Sequence, residues 1–212
     1  EGVAAVVALW ETRRDENRER AGYSLTLSAP TNFDAHNLSV AIRRRRRALG
    51  EVGEDVMTLR ASDAGGAEAR VFDLPLAVGD RVRLFQRTNA VIGGSSPVVG
   101  NIGRNGSVLE VRGISDAGLT LRAASGTEGL VSWSSLRDRA SEHILLDYGE
   151  ALTTNTAQGS TVTDHIHAIP GGTKTVSAYG AYTSGSRHRD QNYLVVSDGA
   201  ERTEVAARRP LG

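Results

Sequence analysis

The sequence predicts an α/β fold in which a parallel sheet is interrupted by a small inserted β-barrel. Two patterns lead to this prediction. Strands and helices alternate at both ends of the 212-residue chain, as in the units of an open parallel sheet. Between residues 76 and 138, short alternating runs are separated by Gly, Asn and Ser turns, which is typical of a small antiparallel barrel. We therefore divide the chain into residues 1–75, 76–138 and 139–212.

The first part is predicted to contain a helix, a strand and a second helix. Apolar residues recur at helical spacing in the first ten positions, and the segment then becomes strongly polar. The run YSLTLSAP predicts a buried strand that stops at Pro30, after which Thr31 or Asn32 can cap a helix. That helix carries an arginine run and ends at Gly50.

The middle and last parts contain most of the predicted strands. In the middle part these are DRVRLFQR, GSVLEVRGI, GLTLRAA and GLVSWSSL, and GNIGRNGS is predicted to form a hairpin that turns at Asn105-Gly106. In the last part, EALTT and DHIHAI are predicted strands and residues 175–187 a predicted helix. The run NYLVVSD predicts a strand that is buried on both faces.

The composition limits the classes of partner. Lys plus Arg and Asp plus Glu both number 25, so no net charge draws the chain to nucleic acid or to a membrane. Lys174 is the only lysine, and the many arginines favour planar contacts to phosphate or carboxylate. Cysteine is absent, which fits a reducing, cytoplasmic location, and no apolar run approaches the roughly 20 residues of a membrane span. Because the chain begins at Glu1, we expect a fragment of a longer protein.

The arginine run at residues 43–47 cannot face solvent throughout, because five consecutive helical residues more than circle the helix. Arg45 or Arg46 must interrupt the apolar stripe, so that side chain is paired, snorkels, or points into a cleft beside a ligand. A solvated helix face and a phosphate or nucleic-acid contact both remain open at this point.

The predicted barrel and a histidine pair offer further candidate chemistry. The barrel has side chains suited to gripping a single strand, although turns and core aromatics are the favoured interpretation; these are Arg81, Arg83, Phe85, Arg87, Arg104 and Trp133. His165 and His167 lie on one face of a predicted strand, as a metal pair would. No cysteine or evident third ligand accompanies them, so we predict no metal site.

A third candidate site combines a hydroxyl-rich loop with an arginine near the end of the chain. Gln158 and Gly159 follow the strand at 151–154, where hydroxyls and backbone N–H groups could meet a phosphate. Arg187 precedes the last strand and could stabilise charge on a transferred phosphoryl group, provided that another domain delivers the nucleotide. A Ser/Thr-rich turn with a helix-terminal arginine is the structural alternative.

Several of these segments resemble motifs of superfamily 1 helicases. ALTTNTAQGST is similar to their A-L-T-V-H-K-S-Q-G-S motif, and YTSGSRHRDQNYLVV is similar to their last motif, Y-V-A-L-T-R-A-R followed by a strand. LTLSAPTNFDAHNLSVAIRRRRRALG resembles the segment that opens their second motor domain. RecD-like members carry an SH3-like barrel inside that domain, and the helicase parts of conjugative relaxases (TraA, TraI, TrwC) are the most similar in style. The resemblance implies a RecA-like domain that spans residues 1–75 and 139–212, with an inserted SH3-like barrel at 76–138.

The resemblance also implies roles for individual residues. Arg187 would be the catalytic arginine finger that reaches the γ-phosphate. The nucleotide would be bound by Gln158, Gly159, Arg187 and Arg43, and single-stranded DNA by Thr31, Asn32, Thr153, Asn155 and Ser160. Asn155 stands where many relatives have His, and Thr161 where some have Glu, so two family contacts are not carried over.

The chain departs from the family in the groups that hold ATP. It contains neither G-x-x-x-x-G-K-[ST] nor an Asp-Glu pair after an apolar strand, and Lys174 lacks the first glycine of the motif. We therefore expect ATP and Mg²⁺ to act in the full-length protein, with none bound tightly by this fragment, which should be inactive alone. The expected partners are single-stranded DNA and an N-terminal motor domain of the same bacterial, cytoplasmic protein. The alternative is a non-catalytic nucleic-acid-binding or protein-docking module of a DNA-transfer protein.

Overall fold

The structure is a computed structural model that contains two compact units. It describes residues 2–64, 69–93, 96–156, 162–170 and 188–196. One unit combines Glu1–Ile42 with Ala151–Gly212, and the other is Arg43–Glu150. The first contains a parallel sheet and the second contains antiparallel sheets, so the mixed α/β class is as predicted.

The elements follow the chain in this order: α1 (Gly2–Glu16), β1 (Leu25–Ala29), α2 (Asn32–Ala48), β2 (Met57–Ser62), β3 (Val71–Leu76), β4 (Arg81–Leu84), β5 (Thr88–Ile92), β6 (Val98–Gly103), β7 (Val108–Ser115), β8 (Gly118–Ala123), β9 (Glu128–Ser132), α3 (Trp133–Leu136), β10 (Leu146–Tyr148), β11 (Ala151–Thr153), β12 (Val162–Ile169) and β13 (His188–Val196). No helix in the described part of the chain is long and apolar enough to cross a membrane.

The parallel sheet of the first unit has the order β11-β1-β12-β13. Alternate residues of β1, such as Leu27 and Ala29, join a core with apolar residues of α1 and α2, because successive strand side chains point to opposite faces. Val6, Trp10 and Leu38 are buried in this core. Each large apolar side chain that is fully buried contributes about 1.5–3 kcal/mol.

The second unit contains a seven-stranded sheet and a two-stranded ribbon. The sheet has the order β10-β4-β7-β8-β9-β5-β6, and β2 pairs with β3 in the ribbon. The named strands of this unit pair with one another antiparallel, and Ala61 of β2 also forms an isolated parallel bridge with Ile144. The closure of this sheet into an SH3-like barrel and the predicted boundaries at 75/76 and 138/139 stay predictions.

The predicted hairpin around Asn105-Gly106 is wrong, although the turn is present. Ser107 N donates to Arg104 O at 2.9 Å, and Gly106 has a φ of 88°. However, β6 pairs with β5, while β7 pairs with β4 and β8. Leu84 explains the difference: its carbonyl accepts from Gly106 N and its N–H donates to Ser107 O, so the end of β4 takes the place beside the turn.

The last strand also differs from its prediction. The sequence predicts burial on both faces, but most of β13 is exposed or half-buried, and Leu194 is 61% exposed. Among the described strands β13 lies at the edge of the sheet, next to β12 alone, so its length is not enclosed on both sides. The predicted helix at 175–187 lies outside the described residues.

Candidate functional site

Two neighbouring strands of the parallel sheet end at the same place. Ala29 of β1 and Thr153 of β11 are register partners, and Thr154 N donates to Ala29 O at 3.0 Å. Thr31 and Asn32 follow β1 after one residue, Pro30, and Asn155 follows β11 after Thr154. The fold therefore brings four of the predicted DNA-binding residues to one edge, although about 120 residues separate the two segments in sequence. We call this the carboxyl edge.

Thr31 is the cap of α2. Its hydroxyl accepts from Asp34 N at 3.1 Å and donates to Asp34 Oδ2 at 2.7 Å. A side-chain oxygen at this position satisfies one of the unpaired N–H groups of the first turn, so Thr31 rather than Asn32 performs the predicted capping. Because a hydroxyl has one hydrogen, the hydrogen of Thr31 is already directed at a carboxylate.

The turn after β11 explains part of the hydroxyl-rich sequence. Thr153 Oγ1 lies 2.8 Å from Thr156 Oγ1 and accepts from Thr156 N, and the hydroxyl of the buried Thr154 donates to Ala29 O. Short hydroxyl side chains can satisfy the backbone of such a turn locally. Asn155 lies between them and is exposed, so its amide is available at the carboxyl edge.

Three of the predicted nucleotide-binding residues, Gln158, Gly159 and Arg187, lie outside the described residues, and so does the predicted DNA-binding residue Ser160. The strands that follow them are described. Val162 at the start of β12 and His188 at the start of β13 are register partners, at the amino ends of two neighbouring parallel strands. This is the edge of the sheet opposite to the carboxyl edge, and both segments lead directly into it.

Arg43 belongs to the second unit, where carboxylates surround it. Its Nε donates to Asp80 Oδ1 at 2.6 Å, and its Nη2 donates to Asp80 Oδ2 at 2.9 Å and to Asp55 Oδ1 at 2.6 Å. Burial lowers the pKa of the Arg43 guanidinium, but its hydrogen bonds to Asp80 and Asp55 raise that pKa by more, so the net shift is upward. Its guanidinium also lies 4.8 Å from the centre of the Tyr148 ring. The predicted nucleotide contact of Arg43 stays a prediction.

Arg46 resolves the question raised by the arginine run. Its guanidinium is buried and pairs with Glu150 and, at 2.9 Å, with Glu51. Of the three possibilities considered for an arginine in the apolar stripe, the structure therefore uses pairing. Arg44 is exposed, so the run combines buried ion pairs with a solvated face.

The second unit also contains an open groove of about 870 Å³, lined by Gln86, Arg87, Asn89, Ser134, Ser135, Arg137, Asp138, Arg139 and Glu142. Arg137 pairs with Glu142 at 2.8 Å. Arg87 and Arg139 are exposed and form no ion pair within the described ranges. Their charges are therefore available to an anionic ligand.

Of the six barrel side chains singled out in the sequence, Arg87 alone lines this groove. Arg83 is buried beside the ring of Phe85, and Trp133 Nε1 donates to Ser115 O at 3.1 Å. The groove was missed in the sequence because its lining comes from separate segments around residues 86–89 and 134–142. The one local signal for the groove in the sequence is the pair of arginines in RDR at 137–139.

The histidine pair forms a buried hydrogen-bond network. Ser28 Oγ lies 2.9 Å from His165 Nε2 and 2.8 Å from His167 Nδ1, and His165 Nδ1 lies 3.0 Å from Asn192 Oδ1. Burial, and then the neighbouring His165, lower the pKa of His167 to about 4. Across the described ranges, no group of three or more His, Cys, Asp or Glu residues could hold a metal ion.

Comparisons with known proteins point to one kind of fold. No family model matches the sequence, and no curated protein matches it. A solved structure of Pif1 helicases, described as two coordinating Pif1 helicases unwinding forked double-stranded DNA, has a TM-score of 0.50 at 18% identity and covers 88% of this chain. Bacteroides Pif1 bound to ADP-AlF3 and single-stranded DNA has a TM-score of 0.48 at 16% identity and covers 89% of this chain.

The match involves only part of those helicases, because this chain covers 44% of the first Pif1 chain and 46% of the second. At such low identity the similarity concerns the fold alone. The chain therefore has a fold similar to that of part of the Pif1 helicases, with a parallel sheet and further antiparallel sheets.

Proposed function

We propose that the chain is the second RecA-like motor domain of an ATP-driven DNA helicase or translocase, of the type found in conjugative relaxases. The observation that carries the proposal is the carboxyl edge, where β1 ends level with Thr153, so that Thr31 and Asn32 follow one strand end and Asn155 follows its neighbour. In open parallel sheets, ligands bind outside the carboxyl ends of the strands. A single strand of DNA would run along this edge. The fold similarity to Pif1 supports the same assignment.

In this proposal the opposite edge of the sheet serves the nucleotide. Gln158 and Gly159 precede β12, and Arg187 is bonded to His188 at the start of β13. Because Val162 and His188 are register partners, both segments enter neighbouring strands at the same level. Arg187 would act as the arginine finger on the γ-phosphate, with Gln158 and Gly159 sensing the nucleotide.

The phosphates and Mg²⁺ would be held by another motor domain of the parent protein. The described residues contain no cluster of carboxylates suited to a metal ion, and the sequence has no P-loop lysine. Arg43 could turn Nη2 towards a nucleotide by leaving Asp55, which is the more exposed of its two carboxylate partners. Residues 76–138, which belong to the second unit, would form the inserted SH3-like barrel of this bacterial, cytoplasmic helicase.

The proposal is tested with Arg187→Ala in the intact parent protein. An arginine finger contributes about 10³- to 10⁵-fold to turnover, so the ATPase rate should fall by that order while binding of single-stranded DNA persists. Arg189→Ala is the matched control, because Arg189 is an exposed arginine two residues away. An unchanged ATPase rate in Arg187→Ala would refute the motor assignment.

A second candidate function is favoured by the groove of the second unit. In this alternative the chain would be a non-catalytic nucleic-acid-binding or protein-docking module, and Arg87 and Arg139 would contact the anionic groups of the partner. Replacing both arginines by Gln should weaken the binding of single-stranded DNA. The salt dependence of that binding should fall by the amount that corresponds to about two phosphate contacts. Arg137→Gln is the control, since Arg137 already pairs with Glu142. This candidate prevails if the groove variants abolish strand binding and Arg187→Ala leaves the ATPase rate unchanged.

A further inference from the structure

Phe33 is an exposed aromatic residue at the carboxyl edge. It lies in the first turn of α2, directly after Thr31 and Asn32, and 57% of its surface is exposed. Among the described residues of the first unit, Leu194 is the other large apolar side chain with a comparable exposure, and the core that α1 and α2 form with the sheet takes up most of the rest. An aromatic ring at this position places a flat apolar surface where the proposed DNA path runs.

The polar groups next to Phe33 are poorly suited to a phosphate. The hydroxyl hydrogen of Thr31 is donated to Asp34 Oδ2 at 2.7 Å, and Asp34 N donates to Thr31 Oγ1. The first turn of α2 therefore presents a carboxylate, and it uses one of its own N–H groups internally. Because a carboxylate repels a phosphate, the part of the strand that lies here should be a base.

We propose that Phe33 stacks on a base of the single strand at the carboxyl edge, and that the exposed amide of Asn155 contacts the same strand from the end of β11. This inference rests on the proposed function, and it adds a stacking residue to that site. Aromatic faces bind bases with little sequence preference, which is what a translocating motor requires. The phosphates of this nucleotide point away from Asp34.

The experiment measures binding of this 212-residue chain to two fluorescent oligonucleotides by anisotropy. One is dT20, and the other is an abasic strand of the same length, which keeps the phosphates and lacks the bases. Phe33→Ala should weaken binding of dT20 by about 5- to 150-fold, the range for loss of one stacked base. Binding of the abasic strand should be unchanged. Leu194→Ala, at 61% exposure in the same unit, is the matched control and should bind both strands normally.

Two further variants separate stacking from general apolar docking. Phe33→Trp should bind dT20 at least as tightly as the parent chain, whereas Phe33→Leu should lose nearly as much as Phe33→Ala. If Phe33→Leu binds like the parent chain, the ring is not a stacking platform and the inference is overturned.

The inference and the proposed function fail in different ways. If Asn155→Ala weakens binding of both strands while Phe33→Ala affects neither, the carboxyl edge binds DNA without stacking and only the inference is lost. If the unsubstituted 212-residue chain binds neither dT20 nor the abasic strand, the proposed DNA path is wrong and the inference is lost with it.

Discussion

Replacing Arg43 by methionine should destabilise the second unit strongly. The Asp80 carboxylate is fully buried, and it accepts two hydrogen bonds from Arg43 and one from Ala77 N. Methionine fills a similar volume but removes the positive charge, so Asp80 would remain buried with its charge uncompensated. Removing one partner of a buried ion pair costs about 3–5 kcal/mol. With a urea m-value of about 2 kcal/mol/M, the unfolding midpoint should fall by about 2 M.

The two tryptophans make the measurement specific to one unit. Trp133 lies in the second unit and Trp10 in the first, so Trp10→Phe leaves a fluorophore that reports the second unit alone. Arg44→Met is the matched control, because Arg44 is the exposed neighbour in the same run, and its effect should stay within about 0.5 kcal/mol.

A double variant tests the mechanism. Arg43→Met with Asp80→Asn removes both charges, so it should regain part of the stability lost in Arg43→Met alone. The reasoning fails if Arg43→Met lowers the free energy of unfolding by less than about 1 kcal/mol. It also fails if adding Asp80→Asn destabilises the protein further by its full single-variant effect.

Two further predictions concern the first unit. Ser28→Ala leaves His165 and His167 without their shared hydroxyl, and we expect a loss of about 1–3 kcal/mol, measured by urea unfolding of a chain that keeps only Trp10. Because the folded pKa of His167 is lowered from 6.5 to about 4, the unfolded state binds more protons between these values. Stability of this unit should therefore be complete above pH 6.5 and fall by about 3 kcal/mol as the pH drops to 4. A flat profile between pH 7 and 4 would contradict this.

Local patterns in the sequence predict the elements well, because a helix or a strand depends on the spacing of nearby residues. The parallel unit around β1 and α2 and the cap at Thr31 follow from such patterns. Contacts between residues that are distant in sequence do not follow from local patterns. Arg43 pairs with Asp80 and Arg46 with Glu150, which lie 37 and 104 residues away, and only the fold decides which carboxylate meets which arginine.

The two wrong predictions, the burial of the last strand and the hairpin at Asn105-Gly106, also depend on contacts between distant segments. The run YLVV in β13 has the composition of a buried strand, but its exposure is set by its place at the sheet edge, which depends on the order of strands rather than on its residues. The pairing of β6 with β5 instead of β7 is likewise a matter of topology. At the candidate site, the resemblance to helicase motifs assigned Thr31 and Thr153 to the same ligand, and the pairing of β1 with β11 brings the two strand ends side by side.

The register of the parallel sheet fixes the distance that the chain between β11 and β12 must cover. Thr153 lies level with Ala29, and Val162 lies two positions before the partner of Leu25, on the far side of β1. Six residues of rise and two strand spacings separate these points by about 22 Å. The nine Cα steps that join them reach at most about 30 Å. The register of β1, β11 and β12 therefore requires the chain to return across most of the height of the sheet between Thr153 and Val162.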